Sequence, residues 1–360
     1  MYMIARLGNL TFSPCPRPTF SMRAALLTLL LVLPSLAQPL AQPEIQARIQ
    51  ALRQSLKDHP LTAPEFAGMG ANLDTALQSA TSSLKDGQTY LALEKLVQAS
   101  DNLTGARYFV EKSASVKTLD EFEAEWRKTQ STLTVPAHNW NRAPAALRAI
   151  AEAATSRTIP LLEGARGFAT ATAPRDGLFY LGEAQAQAEF ARFCVTFKLP
   201  RKGRPIVLRS LLPELLALQE KANAAFQPPR SIDQHSRFIA LNSTIKFARE
   251  LDAAKLYARA LYQYLEAVRH LGMLDDAPAV QPLIDRLRAK LYSKDDDSIA
   301  DLFLQRAAAQ LTGTDDERKS ARVIAAVVLP AYEAARRPAA GLPRAAVKTI
   351  ELTLVRWPYT

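Results

Sequence analysis

Residues 64–112 read PEFAGMGANLDTALQSATSSLKDGQTYLALEKLVQASDNLTGARYFVEK, and the apolar positions of this stretch fall into two runs at helical spacing. Leu73, Ala76, Leu77, Ala80 and Leu84 recur at intervals of three and four, so they line one face of a helix over 64–85. Gly87 is the stop signal, because glycine readily takes the left-handed backbone that ends a helix. A second helix starts at once and runs over 88–112 through Leu91, Leu93, Leu96, Leu103 and Phe109, with Gly105 as a candidate break. Two antiparallel helices joined this tightly form a hairpin, and the stretch therefore predicts a helical fold class.

The same periodicity extends in both directions. Ile45, Ile49, Leu52 and Leu56 follow Pro43 and predict a helix over 43–57. Thr118 and Glu121 have the spacing of a capping box, in which the hydroxyl accepts from a free amide and the glutamate reaches back to the cap. That box opens a helix carrying Phe122 and Trp126 on one face. Alanine-rich helices are expected at 143–157, 159–172 and 176–197. Leu211, Leu215, Leu218 and Ala222 mark the next, and Phe238, Leu241, Ile245 and Ala248 another, continued from Ala253 to Leu271. The last helices are expected at 279–292, 298–311 and 315–336. The final one opens on a second box, Thr314 with Glu317, and contains Pro330, which should kink it.

The expectation is thus an all-α protein of stacked antiparallel helical hairpins, either a bundle or an irregular α-solenoid. Its one exception is a short C-terminal extended strand, where Ile350, Leu352 and Leu354 alternate with Glu351, Thr353 and Val355. Such a strand can pack as an extended tail, pair with a stretch such as Pro205 to Leu208, or add to the sheet of another chain. Gly87, Ala92, Leu96 and Ala99, and again Tyr257, Ala260, Tyr264 and Ala267, fall at tetratricopeptide-like spacings. The two matches lack several marker residues and no run of 34-residue units joins them, so small residues at close helix crossings account for them better.

Met22-Arg23, a mostly apolar run from Ala24 to Leu33 and the small residues Ser35 and Ala37 make the three parts of a cleavable secretion signal. Ten residues are too few to span a bilayer, which takes about 20. The mature chain is expected to begin near Gln38, and residues 1–21 form an upstream extension to a signal peptide at 22–37. Cleavage removes Arg6, Arg17 and Arg23 and no acid, so the net charge of +10 falls to +7. It also leaves Cys194 as the sole cysteine, set among Phe190, Phe193, Val195 and Phe197 as a buried, inert thiol. A secreted or periplasmic location follows, with an N-terminal helical region at 38–199, a basic loop or linker at 200–208, a C-terminal helical region at 209–348 and a tail at 349–360.

Motifs for catalysis are hard to assemble. Histidines occur at 59, 138, 235 and 270, none in His-Glu-x-x-His or Glu-x-x-His spacing, and neither a Gly-x-Ser-x-Gly elbow nor a phosphate loop occurs. No catalytic residue, metal site or cofactor is expected. Three places could bind a partner. Glu183 and Gln187 lie one turn apart on one helix face, where a polar ligand or a proton could be held. His138 and Trp140 share the loop from Leu133 to Asn141. Arg201, Lys202 and Arg204 form a compact anion-attracting patch, suited to an anionic envelope component rather than nucleic acid, since no aromatics are interleaved.

Two further clusters have simpler expectations. Glu266, one turn before His270, should favour the charged imidazole. Asp295-Asp296-Asp297-Ser298 lacks the order of a calcium loop and is expected to cap the helix that follows. Together these readings predict an interaction or cell-envelope scaffold protein that binds another protein or an anionic envelope component. The alternative is a helical enzyme with an unrecognised site.

Overall fold

A computed structural model describes residues 42–61, 64–66, 68–133, 143–197, 199–225, 234–275 and 284–336, all within one compact unit covering residues 40–360. The signal segment, His138, Trp140 and the C-terminal tail lie outside the described residues. The protein is predominantly helical and its helices pack in pairs. Among the described residues there is no strand, only a single bridge between Arg204 and Asp295. Among the described residues no helix is long and apolar enough to cross a membrane.

The opening stretch folds as its periodicity requires. After α1 (Gln42–Asp58) and a 3-10 turn at Pro64–Phe66 come α2 (Met69–Lys85) and α3 (Thr89–Lys112), packed against each other. Gly105 does not break α3. It is where α3 meets α6 (Leu178–Thr196), because a methyl group at Gly105 would come within 2.9 Å of the Phe179 carbonyl oxygen. Gly182 answers it on α6, its position allowing a methyl only 2.8 Å from the Gly105 Cα. Small residues here let two backbones approach closely.

Between them, α4 (Leu119–Thr132) opens on the Thr118 box, with both of its reciprocal hydrogen bonds formed. The expected break between two helices at 143–172 is absent: α5 (Ala145–Phe168) runs straight through Pro160. An internal proline costs about 3 kcal/mol or more. The offsetting contacts are tertiary, since Leu162 and Ala165 beyond the proline are buried with Phe122, Trp126, Leu178 and Leu181, and the Trp126 indole donates to the Leu162 carbonyl at 2.8 Å.

The second half begins with α7 (Leu212–Ala225), α8 (His235–Ala253) and α9 (Tyr257–Gly272). The expected continuation from 253 is instead a clean end. Lys255 adopts a left-handed backbone with φ 61°, and the Leu256 amide donates back to the Leu251 carbonyl at 2.9 Å. The helix expected at 279–292 is reduced, among the described residues, to α10 (Ile284–Arg288). Past Arg288 the chain tightens into turns, the Lys290 amide donating to Leu287 at 3.2 Å and the Leu291 amide to Arg288 at 3.0 Å, and then turns left-handed at Tyr292, φ 60°, whose amide donates to Asp297 at 2.9 Å.

The last elements are α11 (Ser298–Gln310), α12 (Asp315–Val323), a π turn over Ile324–Val328 and α13 (Leu329–Ala335). Pro330 is met by that widened turn. The Leu329 amide reaches five residues back to the Ile324 carbonyl, one more than in an α-helix, so the backbone adjusts just ahead of the ring. A large core joins both halves, with Leu77, Leu93, Phe190, Leu265 and Phe303 among its buried members, and α5 packs on both α6 and α9. No break at 200–208 separates the core into two.

Candidate functional site

The α3–α6 crossing places a third residue opposite the Glu183 and Gln187 pair. Asp101 lies one turn before Gly105, so the close approach that Gly105 permits turns its carboxyl onto α6. The Gln187 amide Nε2 donates to Asp101 Oδ2. Arg157, from α5, brings a guanidinium nitrogen within 3.5 Å of the same oxygen, yet its side chain is 49% exposed against 3% for Asp101. Sequence reasoning named Glu183 and Gln187 and missed Asp101, whose partners lie on other helices and leave no trace in local spacing.

Burial dominates the electrostatics of this cluster. It pushes the Asp101 carboxyl up to about 7, helped by the nearby Glu183 charge and opposed by Arg157 and the Gln187 hydrogen bond. Burial likewise raises Glu183, against the pull of Arg157. Asp101 Oδ1 and Gln187 Oε1 are buried with no hydrogen-bond partner. The chemistry within reach is proton storage and hydrogen bonding. Among the described residues no group of three or more His, Cys, Asp or Glu side chains could hold a metal ion.

The basic patch has a different setting. Arg204 pairs with Lys294 and Asp296 through its backbone, its amide donating at 3.0 Å and its carbonyl accepting at 2.7 Å, so the loop is laid across the acidic run. Gly203, with φ 83°, fits there because a side chain would collide with the Asp295 backbone. Arg204 meets the Asp295 carboxylate at 3.2 Å, and the Lys202 ammonium lies over the Tyr292 ring at 5.4 Å. Arg201 lowers the pKa of Asp296, a smaller effect than the burial that raises it. Arg204 and Lys202 thus touch acidic and aromatic side chains of the same chain while staying exposed to solvent.

That acidic run corrects a sequence expectation. Asp297 makes no side-chain cap on its own helix, whose Ser298 amide is taken instead by Asp296 at 3.1 Å. Asp296 accepts from the Ala145 amide at 2.7 Å and Ser298 from the Ala146 amide at 2.9 Å, capping the start of α5 from 151 and 152 residues away. Asp297 takes the Tyr292 amide, the Tyr332 hydroxyl at 3.2 Å and Arg336 at 2.8 Å. The run is a junction between helices.

His270 is corrected too. Burial and the adjacent Arg269 lower its pKa, and Glu266 does not reverse this, because that carboxylate is already engaged by Arg269 at 2.9 Å and by Arg306. Cys194 behaves as expected: burial pushes its thiol well up, which keeps it protonated and unreactive. Comparison of the chain with protein-family models, curated proteins and solved structures finds no match in any of the three.

Proposed function

We propose that this is a secreted or periplasmic helical protein that works by binding, as an interaction or cell-envelope scaffold whose partner is another protein. The observation that carries the reading is a groove of about 490 Å³ between α7, α9, the π turn and α13, with Leu218, Val268, Leu271 and Val327 on its walls and the charged Glu214, Lys221 and Asp275 also lining it. Val327 is 36% exposed there, and apolar walls open to solvent suit a protein segment that brings its own apolar face. Stacked antiparallel hairpins would hold such a surface rigid. The Ile350 to Leu354 stretch, outside the described residues, would serve as an extended tail.

The enzyme reading would be raised by a pKa-perturbed acid facing His235 or His270 across a cleft. Asp101, the raised acid on α3, faces an amide and an arginine instead. The test is cross-linked capture of the mature chain from envelope fractions, comparing wild type with Val327→Glu and with a variant replacing Arg201, Lys202 and Arg204 by serine. The expected result is that Val327→Glu lowers recovery of one identified protein at least about tenfold, equivalent to about 1.4 kcal/mol, while the loop variant leaves it intact. Loss only in the loop variant would assign binding to an anionic envelope component. Equal recovery with all three chains would overturn the groove.

A further inference from the structure

We propose that Asp101 and Gln187 form a buried carboxylic acid–carboxamide pair that holds one exchangeable proton and loosens the α3–α6 contact when that proton leaves. Two facts of geometry point there. The Gln187 amide group donates to one oxygen of Asp101, and the oxygens left without a partner, Asp101 Oδ1 and Gln187 Oε1, belong to the same two planar groups. Both are acceptors. A buried polar atom without a partner costs about 1–3 kcal/mol, and here one proton on Asp101 Oδ1, donated to Gln187 Oε1, satisfies both at once. Turning the carboxamide by 180° exchanges the roles of its two ends and still requires that proton.

The surroundings favour keeping it. Asp101 and Gln187 are 2% and 1% exposed, and the charged groups acting on Asp101 are Glu183 from α6, which repels a carboxylate, and Arg157 from α5, which is half in solvent. Polar links from the other helices packed on α3 run elsewhere: Arg107 to Ser55 of α1, Lys95 to Ser79 and Ser83 of α2, and Glu94 to Arg306 of α11. The acid titrates near neutrality, above its usual value of 3.8. The folded state therefore binds the proton more tightly than the unfolded chain. The contribution of this pair to stability is fully present at low pH, falls as pH rises from the unfolded value towards about 7, and levels off above it.

The sharpest probe is Asp101→Asn, whose amide presents one donor and one acceptor to Gln187 without any titration. Urea unfolding of the full chain is followed from pH 5 to pH 9. The expected result is that the folding constant of wild type falls relative to the variant by up to about tenfold per pH unit below neutrality, with no further divergence above pH 8. Carbon-13 NMR of labelled aspartate supplies a second readout: one carboxyl should titrate near neutral pH in wild type and be missing from Asp101→Asn, which separates it from Asp296, also raised by burial. Parallel curves for the two chains, or aspartate carboxyls that all titrate below pH 5, would overturn the proposal.

Discussion

Asp101 and Glu266 are both acids buried between helices, and they have opposite fates. Burial pushes each carboxyl up, but Arg306 and Arg269 together outweigh it at Glu266 and hold that group below its usual range. At Asp101 the single cation, Arg157, is half-exposed and 3.5 Å away, and burial prevails. The difference lies in what the neighbouring helices supply. The Arg306 side chain is 22% exposed, less than half the exposure of Arg157, and also engages Glu94 at 2.8 Å and the Tyr262 hydroxyl, so Glu266 belongs to a connected network. Two well-shielded cations keep Glu266 charged where one half-exposed cation does not keep Asp101 so.

Removing the cation from the first site should cost most. Arg306→Met leaves Glu266 and Glu94 without their shared partner and is expected to lower stability by about 3–5 kcal/mol, measured by urea unfolding at pH 7. A loss below about 1 kcal/mol would mean that Arg269 alone suffices and that the contrast with Asp101 is not one of cation number.

Asp296 extends the comparison to an acid compensated by backbone amides. It accepts from Ala145 and from Ser298, the latter at 3.1 Å, so Asp296→Ala removes two such bonds and should cost about 2 kcal/mol. Amide exchange should then rise first at the start of α5. Protection unchanged at Ala145 would show that the cap is dispensable.

The smallest change should come from Glu183→Gln. Taking one negative charge from beside Asp101 lowers its pKa, so the pH range over which wild-type stability falls should move down, by less than about one unit. A shift upwards would contradict a repulsive Glu183. Full unfolding curves at half-unit pH steps resolve either outcome.

Much of this architecture is legible in local spacing. The helical class, the packed helix pair within 64–112, both capping boxes and the buried state of Cys194 follow from residues within a few positions of each other. Glu183 and Gln187 are visible as one helix face for the same reason. What they face is not, since Asp101 comes from 86 residues earlier in the chain. The break expected between 157 and 159 is absent because the tertiary packing that carries α5 through Pro160 is not visible in local spacing.

The sharpest division concerns how helices begin. Thr118 and Thr314 close their own helix starts through partners three residues away, a reach that the sequence encodes directly. Four other starts are capped from afar: Gln305 receives the Leu91 amide of α3, Asp296 and Ser298 those of α5, Asp252 the Leu211 amide before α7, and Glu152 the Arg259 amide of α9. Gln88, Pro144 and Leu256, at the cap positions of α3, α5 and α9, make no side-chain cap of their own. The sequence by itself determined which segments are helical, because periodicity and short-range caps act within one turn. Only the tertiary structure decided which distant side chain would satisfy each bare helix start, and which buried acid would be left without enough cations to stay charged.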